Sequence, residues 1–175
     1  MLNMVFTSPL SFVQALHIIV PALLLVLAGV SFSLSVLLIP LLKLLPPAHT
    51  FPQFTHLINF GRTYLQTSAQ LLAFSTLVTT FLTSQLADPI EAQKWKVWAC
   101  ALVALVAVAP YETVMIFPLN EKVEKLKGLV VERVEGEGEL KKELGAILGR
   151  WGRLNFGRAG LAAFAGILGI LGRVR

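Results

Sequence analysis

Four long apolar segments follow one another along the chain, separated by polar or proline-containing stretches. Each is close to the roughly 20 residues that an α-helix needs to cross a bilayer. The pattern predicts an all-α fold, an integral membrane antiparallel four-helix bundle that forms a single transmembrane domain over residues 1–175. The predicted spans are residues 14–42, 64–86, 95–117 and 154–171.

Turn signals agree with the ends of these spans. Lys43 is followed by Leu-Leu-Pro-Pro, and because proline cannot continue a helix, the first helix is expected to end there. Residues 88–91, Asp-Pro-Ile-Glu, have the pattern of a helix start, with a capping carboxylate followed by proline. Trp95 and Trp98 then lie where an aromatic belt at the membrane surface is expected.

Small residues recur at every third position of the fourth span. They predict close helix packing, since small side chains let helix backbones approach each other in lipid. The positions are Gly157, Gly160, Ala163, Gly166, Gly169 and Gly172.

The stretch 121–150 differs from the rest of the chain because it is rich in Glu, Lys and Gly and alternates in charge sign. Mixed charge of this kind usually forms a solvated face. We expect a charged cytoplasmic loop that contains one or two short amphipathic helices, with an apolar edge suited to the membrane surface.

Composition supports a membrane protein. Of the 175 residues, 55% are hydrophobic and 14% are charged, whereas soluble domains carry roughly 25% charged residues. No basic patch is interleaved with aromatic residues, so the net charge of +5 does not indicate nucleic-acid binding. Cys100 is the only cysteine, which excludes an internal disulfide, and it is expected to be a small core residue.

The most informative stretch is residues 109–120, where a proline, a tyrosine and a carboxylate interrupt an apolar run. A charge within a membrane span is costly, so it normally faces a cavity or a bundle interior and pairs with another group. The partners that the topology offers Glu112 are Arg158, in the fourth span, and Arg62, at the entry to the second. Whether a Glu112–Arg158 pair fixes helix register or takes part in function is left open.

Antiparallel packing of the third and fourth spans brings further polar side chains to the same depth. At a rise of about 1.5 Å per residue, Glu112 lies about 12 Å deeper in the membrane than Asn120. Arg158 lies about 10 Å deeper than Trp151 by the same rise. Asn155 shares a helix face with Arg158, three residues on. All of these except Trp151 are predicted to line one pocket in the cytoplasmic half of the bundle.

Other interpretations of single residues remain. Asn120 is also a candidate cap for the third helix, and Trp151 a candidate anchor at the membrane surface. His49 and His56, seven residues apart, give a weak metal signal, because a metal site needs three or more converging ligands. The chain has no glycine-rich phosphate loop, no dinucleotide fingerprint and no nucleophile elbow.

Three groups of residues together resemble the anthrone oxygenase-like family of small integral membrane proteins. The segments 29–40 and 60–62 resemble the first two helices of that family, and the resemblance extends over about residues 29–166. The three groups are Pro110-Tyr111-Glu112-Thr113, Pro118-Leu119-Asn120, and Trp151 with Asn155 and Arg158.

The resemblance implies a membrane-bound monooxygenase of secondary metabolism that converts an anthrone-type polyphenolic polyketide intermediate to an anthraquinone. Its partners would be this small aromatic substrate, molecular oxygen and the lipid bilayer, without nucleic acid, metal or organic cofactor; a homo-oligomer is left open. It implies catalytic roles for Glu112, as the base, and for Arg158 and Asn155, which would hold the oxyanion. The substrate-binding residues it implies are Tyr111, Asn120, Trp151 and Arg62.

The main alternative is a non-enzymatic membrane protein that carries an apolar ligand or assembles a partner enzyme. Oxygen consumption with an anthrone distinguishes the two. A transporter is disfavoured, because the sequence shows no inverted repeat and no pair of broken helices.

With four spans, both termini and the second connection share one side of the membrane. That side carries four Lys and Arg residues, against ten on the side of the first and third connections. The richer side should be cytoplasmic, with both termini on the luminal side of the endoplasmic reticulum or another endomembrane. Protease treatment of sealed vesicles should therefore cut within 121–150 from the cytosolic face and spare tags at both termini. Protection of 121–150 would contradict this topology.

Overall fold

The computed structural model describes residues 9–130 and 137–174. Within these residues every regular element is helical and there is no strand, and four helical regions follow one another, which confirms the predicted fold class. The elements are α1 (Pro9–Ser33), a π-helical segment (Leu34–Leu38), α2 (Ile39–Leu44), α3 (Pro47–Phe60), a π-helical segment (Gly61–Gln66), α4 (Thr67–Ser84), α5 (Pro89–Gln93), α6 (Trp95–Val106), α7 (Val108–Tyr111), a π-helical segment (Glu112–Ile116), α8 (Phe117–Val130) and α9 (Glu137–Val174).

Prolines set the first boundary, as the sequence predicts. The first helical region ends at Leu44, and Pro47 begins α3, a position where its missing N–H is not needed. However, α3 begins 17 residues before the predicted start of the second span at residue 64. The expected connection between the first two spans is therefore mostly helix, and only residues 45–46 separate α2 from α3.

The predicted helix start after Asp88 is confirmed. The Asp88 carboxylate accepts a hydrogen bond from the backbone N–H of Ile90 at 2.9 Å, and Pro89 occupies the first turn. Glu91 forms an ion pair with Lys94 at 2.8 Å. This cap fixes where the third helical region begins.

The charged stretch 121–150 is more helical than a solvated loop. α8 continues through 121–130, and α9 begins at Glu137 and runs without interruption to Val174. Buried Val123, Leu144 and Leu148 give these charged segments an apolar face, which explains why they remain helical. The predicted third and fourth spans are thus parts of longer helices. Arg133 and Arg175, which enter the Lys and Arg count, lie outside the described residues.

The chain forms two compact units. Among the described residues, unit 1 comprises 9–28, 68–107 and 160–174, and unit 2 comprises 29–67, 108–130 and 137–159. Each unit contains one segment from every helical region.

Unit 1 packs around glycines of α9. A Cβ added at Gly166 would contact Leu25 at 3.0 Å, and one added at Gly169 would lie 2.6 Å from the Pro21 ring. Gly169 thus lies opposite Pro21, and Gly166 lies opposite Leu25. Residue numbers therefore rise along α1 in the direction in which they fall along α9, so the two helices are antiparallel. The predicted close packing of small residues is confirmed here, although Gly160 has no neighbour within 4 Å of an added Cβ.

Buried polar side chains connect three helices of unit 1. His17 forms a 2.8 Å hydrogen bond with the Thr83 hydroxyl and stacks on Trp98, with ring centroids 4.9 Å apart. Trp98 is completely buried, so its predicted place in an aromatic belt is wrong; Trp95 is exposed. The tryptophan faces inward because its ring fills the space beside the glycines of α9.

Cys100 is exposed, which corrects its expected place in the core. It lies on an outward apolar face of α6 that also carries Val103 and Val106. An apolar residue faces outward without penalty where the surroundings are lipid, so burial statistics from soluble proteins mislead here.

Three helices among the described residues are long and apolar enough to cross a membrane: Ser11–Leu44, Pro89–Gly128 and Gly138–Arg173. The helical region that contains α4 is outside this set. Its serines and threonines lower its hydropathy, yet the hydroxyls of Thr76, Thr79 and Thr83 each donate to the carbonyl four residues earlier at 2.7 Å. Such hydroxyls need no water.

The outer face of α4 is apolar. Its most exposed large side chains are Leu71, Phe74, Leu77 and Phe81. Exposed apolar surface of this extent marks a membrane or protein contact, so the surface of α4 is compatible with lipid even though its average composition is not strongly apolar.

The glycine packing of unit 1 predicts a position-specific stability effect. Gly169→Ala should lower the free energy of unfolding by about 1–3 kcal/mol, because the new methyl group overlaps the rigid Pro21 ring. Gly160→Ala is the matched control and should be neutral or stabilising, since the space there is open and alanine favours helix by about 1 kcal/mol. Unfolding of both variants in detergent measures the difference, and equal stabilities would contradict the packing.

Candidate functional site

Unit 2 contains a cavity of about 420 Å³. Ligand-binding cavities commonly fall between roughly 300 and 1,000 Å³, so the space suits a small molecule. Apolar side chains form much of the wall, and a few charged and amide groups interrupt it. The lining residues are Leu34, Leu57, Ile58, Gly61, Arg62, Gln66, Glu112, Ile116, Phe117, Asn120, Glu121, Trp151 and Arg158.

All three π-helical segments contribute to this wall. Leu34 comes from the first, Arg62 and Gln66 from the second, and Glu112 and Ile116 from the third. A π-helical turn is wider and less stable than an α-helical one and often occurs at functional sites. The clustering of all three at one cavity therefore marks this region independently of its side-chain chemistry.

Glu112 and Arg158 form an ion pair in the cavity wall. Arg158 Nη1 donates to Glu112 Oε1 at 3.0 Å, and the two side chains are only 13% and 10% exposed, in that order. The ion pair and the matched depth of the two charges agree with the sequence analysis. Arg158, not Arg62, is the partner of Glu112.

Arg158 keeps hydrogen-bonding capacity beyond this pair. Its Nε and Nη2 atoms are buried and have no hydrogen-bond partner among the described residues. A guanidinium has five N–H donors and no acceptor, and leaving buried donors unpaired is costly. Arg158 is also one of the residues that line the cavity.

Asn120 and Trp151 form a second polar contact in the wall. The Trp151 indole N–H donates to Asn120 Oδ1 at 2.9 Å, and the tryptophan ring meets Phe54 edge-on at 5.6 Å. Asn120 does not cap a helix, because α8 continues past it, and Trp151 is buried at 4% exposure, so its alternative role as an interfacial anchor is wrong. Both side chains are held rigidly against the cavity.

Arg62, Gln66 and Glu121 also line the cavity, and Arg62 and Glu121 are exposed. They lie on the second and third helical regions, so the cavity opens between those two regions. Glu121 was not predicted as a site residue, because it begins the mixed-charge stretch that indicated a solvated loop. Its position directly after Asn120 was the available signal.

Asn155 does not line the cavity, which corrects the expected pocket. It is fully buried, and its Nδ2 donates to Ser31 O at 2.6 Å and to Ser35 Oγ at 2.8 Å. Ser31 lies in the last turn of α1, and Ser35 lies in the π-helical segment that also supplies Leu34. Asn155 thus holds α9 against that region and has no contact with the cavity.

Tyr111 also lies outside the lining. Its hydroxyl donates to the Leu154 carbonyl at 2.6 Å, and the ring lies against Gly157. Tyr111, which is predicted to bind substrate, therefore does not line this cavity. Arg62, Glu112, Asn120, Trp151 and Arg158 are the predicted site residues that the structure brings together.

The described residues contain no group of three or more His, Cys, Asp or Glu side chains placed to hold a metal ion. His49 and His56 are both exposed on α3. The charged side chains that line the cavity are Arg62, Glu112, Glu121 and Arg158, and of these Glu112 and Arg158 form the largely buried ion pair.

Comparison with known proteins identifies a family. The family model for anthrone oxygenase matches residues 54–168, which is more than half of the chain and includes both members of the ion pair. No curated protein and no solved structure matches the chain. The family match supports a related oxygenase role. The chain belongs to the anthrone oxygenase family.

Proposed function

We propose that this protein is a membrane-bound monooxygenase that converts an anthrone-type polyphenolic substrate to the corresponding anthraquinone with molecular oxygen. The observation that carries the proposal is the buried Glu112–Arg158 pair in the wall of a largely apolar cavity. Family membership supports the oxygenase class. Neither a metal nor an organic cofactor is needed, because the substrate itself supplies the electrons.

Glu112 acts as the general base. An anthrone has an acidic methylene group flanked by two aromatic rings, and loss of one proton gives an electron-rich anthrolate. The carboxylate takes that proton, and the spare N–H groups of Arg158 bind the oxyanion that forms. Apolar walls such as Leu57 and Ile116 exclude water and accept the flat rings.

This proton transfer keeps the number of buried charges constant. Before it, Arg158 is paired with the Glu112 carboxylate; after it, Glu112 is neutral and Arg158 is paired with the substrate oxyanion. An unpaired buried charge would cost several kcal/mol. The negative charge beside Arg158 is thus carried by the Glu112 carboxylate before the proton transfer and by the substrate oxyanion after it.

The oxygen step then balances without a further reductant. The anthrolate carbon gives its electrons to O₂ and forms a C–O bond, and the proton held by Glu112 completes a hydroperoxide. Glu112 then removes the second methylene proton as the O–O bond breaks, which leaves a carbonyl group and expels hydroxide. The proton on Glu112 passes to this hydroxide, so water is released and the carboxylate is restored. One oxygen atom enters the product and the other leaves as water.

We further propose that the protein is a multi-pass endomembrane protein with both termini on the non-cytoplasmic side. The three apolar helices support the membrane location. The placement of the termini is supported by the distribution of Lys and Arg over four predicted spans. A bilayer also supplies apolar polyphenolic substrates, which partition into it, close to the cavity opening.

Glu112→Gln should lower turnover by about 10²–10⁴-fold, because the amide preserves shape and can still accept a hydrogen bond from Arg158 but cannot accept a proton. The variant should still fold, with a lower stability because Arg158 loses its counter-ion. The measurement is oxygen uptake with an anthrone, using chelator-treated protein free of bound flavin. Glu124→Gln is the matched control, since Glu124 belongs to an exposed pair with Lys127 on α8. Wild-type turnover in Glu112→Gln would remove Glu112 as the base, and tight substrate binding without oxygen uptake in the wild type would identify a carrier.

Arg158→Met should lower the free energy of unfolding by about 3–5 kcal/mol, because it leaves the Glu112 carboxylate buried and unpaired. The double variant Glu112→Gln/Arg158→Met should regain most of that stability and remain inactive. Thermal unfolding and oxygen uptake of all three variants provide the measurement. A double variant that is stable and fully active would reduce the pair to a packing contact.

A further inference from the structure

Tyr111 contacts α9 directly beside the ion pair. Its hydroxyl donates to the carbonyl of Leu154 at 2.6 Å, and its side chain does not line the cavity. A tyrosine hydroxyl in an apolar setting normally finds a hydrogen-bond acceptor. Here the acceptor is a backbone carbonyl of α9. The hydrogen bond therefore forms only when the third helical region and α9 lie at this distance from each other.

Gly157 makes room for this side chain. A Cβ added at Gly157 would lie 2.7 Å from Tyr111 Cζ and closer still to the hydroxyl oxygen, a separation that real Cβ atoms do not adopt. Gly145, on the same helix, has open space around an added Cβ. The tyrosine ring therefore occupies the space that a side chain at position 157 would need, which is not the case at every glycine of α9.

The two contacts are adjacent in sequence to the two charges. Tyr111 precedes Glu112, and Gly157 precedes Arg158. In an α-helix the carbonyl of Leu154 also accepts from the backbone N–H four residues later, which is that of Arg158. The tyrosine thus holds the same helical turn that carries the guanidinium.

The position of Tyr111 in its own helix adds to this. It is the last residue before the π-helical segment Glu112–Ile116. A π-helical turn is intrinsically less favourable than an α-helical turn, so a side chain anchored at its start limits how far the segment can move. Glu112, the first residue of this segment, is the one whose position Tyr111 restricts most directly.

We propose that Tyr111 is a positioning residue that holds Glu112 against Arg158, with Gly157 as its complementary surface, and that it makes no contact with the substrate. The catalytic part of this inference rests on the proposed function. A displacement of about 1 Å in a reacting group can cost about 10²-fold in rate. Loss of the tyrosine hydroxyl therefore acts on the chemical step more than on substrate binding.

Steady-state kinetics of Tyr111→Phe provide the first test. We expect kcat to fall by a factor of about 10 to 10². KM should stay within about threefold of the wild-type value, because Tyr111 makes no contact with the bound substrate. Tyr64→Phe is the matched control, because Tyr64, the other tyrosine of the chain, is exposed and outside the cavity lining. A raised KM with unchanged kcat would show a substrate contact and overturn the proposal, as would wild-type kinetics.

Gly157→Ala should reproduce the effect on kcat from the opposite side of the contact, because the methyl group displaces the tyrosine ring. Gly145→Ala is the control for a glycine-to-alanine change in α9 and should leave kcat unchanged. Equal kinetics for the two alanine variants would contradict the complementary fit.

An activity-free measurement separates failure of this inference from failure of the proposed function. Tyr111→Phe should lower the Tm of the wild type more than it lowers the Tm of Glu112→Gln/Arg158→Met, because only the wild type has an ion pair to position. Equal decreases would show that the hydroxyl stabilises the helices independently of the pair and would overturn the inference. If the wild type consumes no oxygen with an anthrone, the proposed function fails, and this comparison alone decides the role of Tyr111.

Discussion

Burial of Glu112 and Arg158 requires that each charge keep the other within hydrogen-bonding distance, because a lone ion in such a site costs several kcal/mol. That requirement constrains unit 2 well beyond the two side chains. α9 must approach the third helical region closely, which a glycine at 157 allows, and Tyr111 spans the same gap to reach the backbone of Leu154. The packing around the pair and the chemistry of the pair therefore depend on one helix-to-helix distance.

The cavity beside the pair exists where three of the four helical regions depart from regular α-helix. Each π-helical segment gives up some backbone stability, and all of them face the same space. Regular helices would pack more tightly and leave less room. Stability is instead supplied nearby by buried contacts between helices, such as the two hydrogen bonds that Asn155 Nδ2 donates to Ser31 O and Ser35 Oγ. Hydrogen-bonded contacts between helices thus surround the cavity, and π-helical turns line it.

The sequence predicts the features that follow from its composition and from the spacing of its apolar and small residues. Apolar length, proline breaks, the glycine repeat and the need of Glu112 for a partner are all visible in it. It does not predict which way a residue faces when both the core and the surroundings are apolar, and so Cys100 and Trp98 are placed wrongly. It also misses the π-helical segments, because no residue type marks them, and the separate roles of Tyr111 and Asn155, which depend on backbone distances.

The unsatisfied donors of Arg158 are the observation that supports the proposed role of the pair over a packing contact alone. A pair retained only to fix helix register gains most when every N–H of the guanidinium is bonded, since each buried unpaired donor costs free energy. Arg158 bonds Glu112 through Nη1 alone and leaves Nε and Nη2 without a partner among the described residues, although its side chain lines a cavity large enough for a ligand. A guest oxygen that reached these donors would offset that cost. The proposed function accounts for the unpaired donors in this way, with the cation shared between its resident carboxylate and a transient oxyanion.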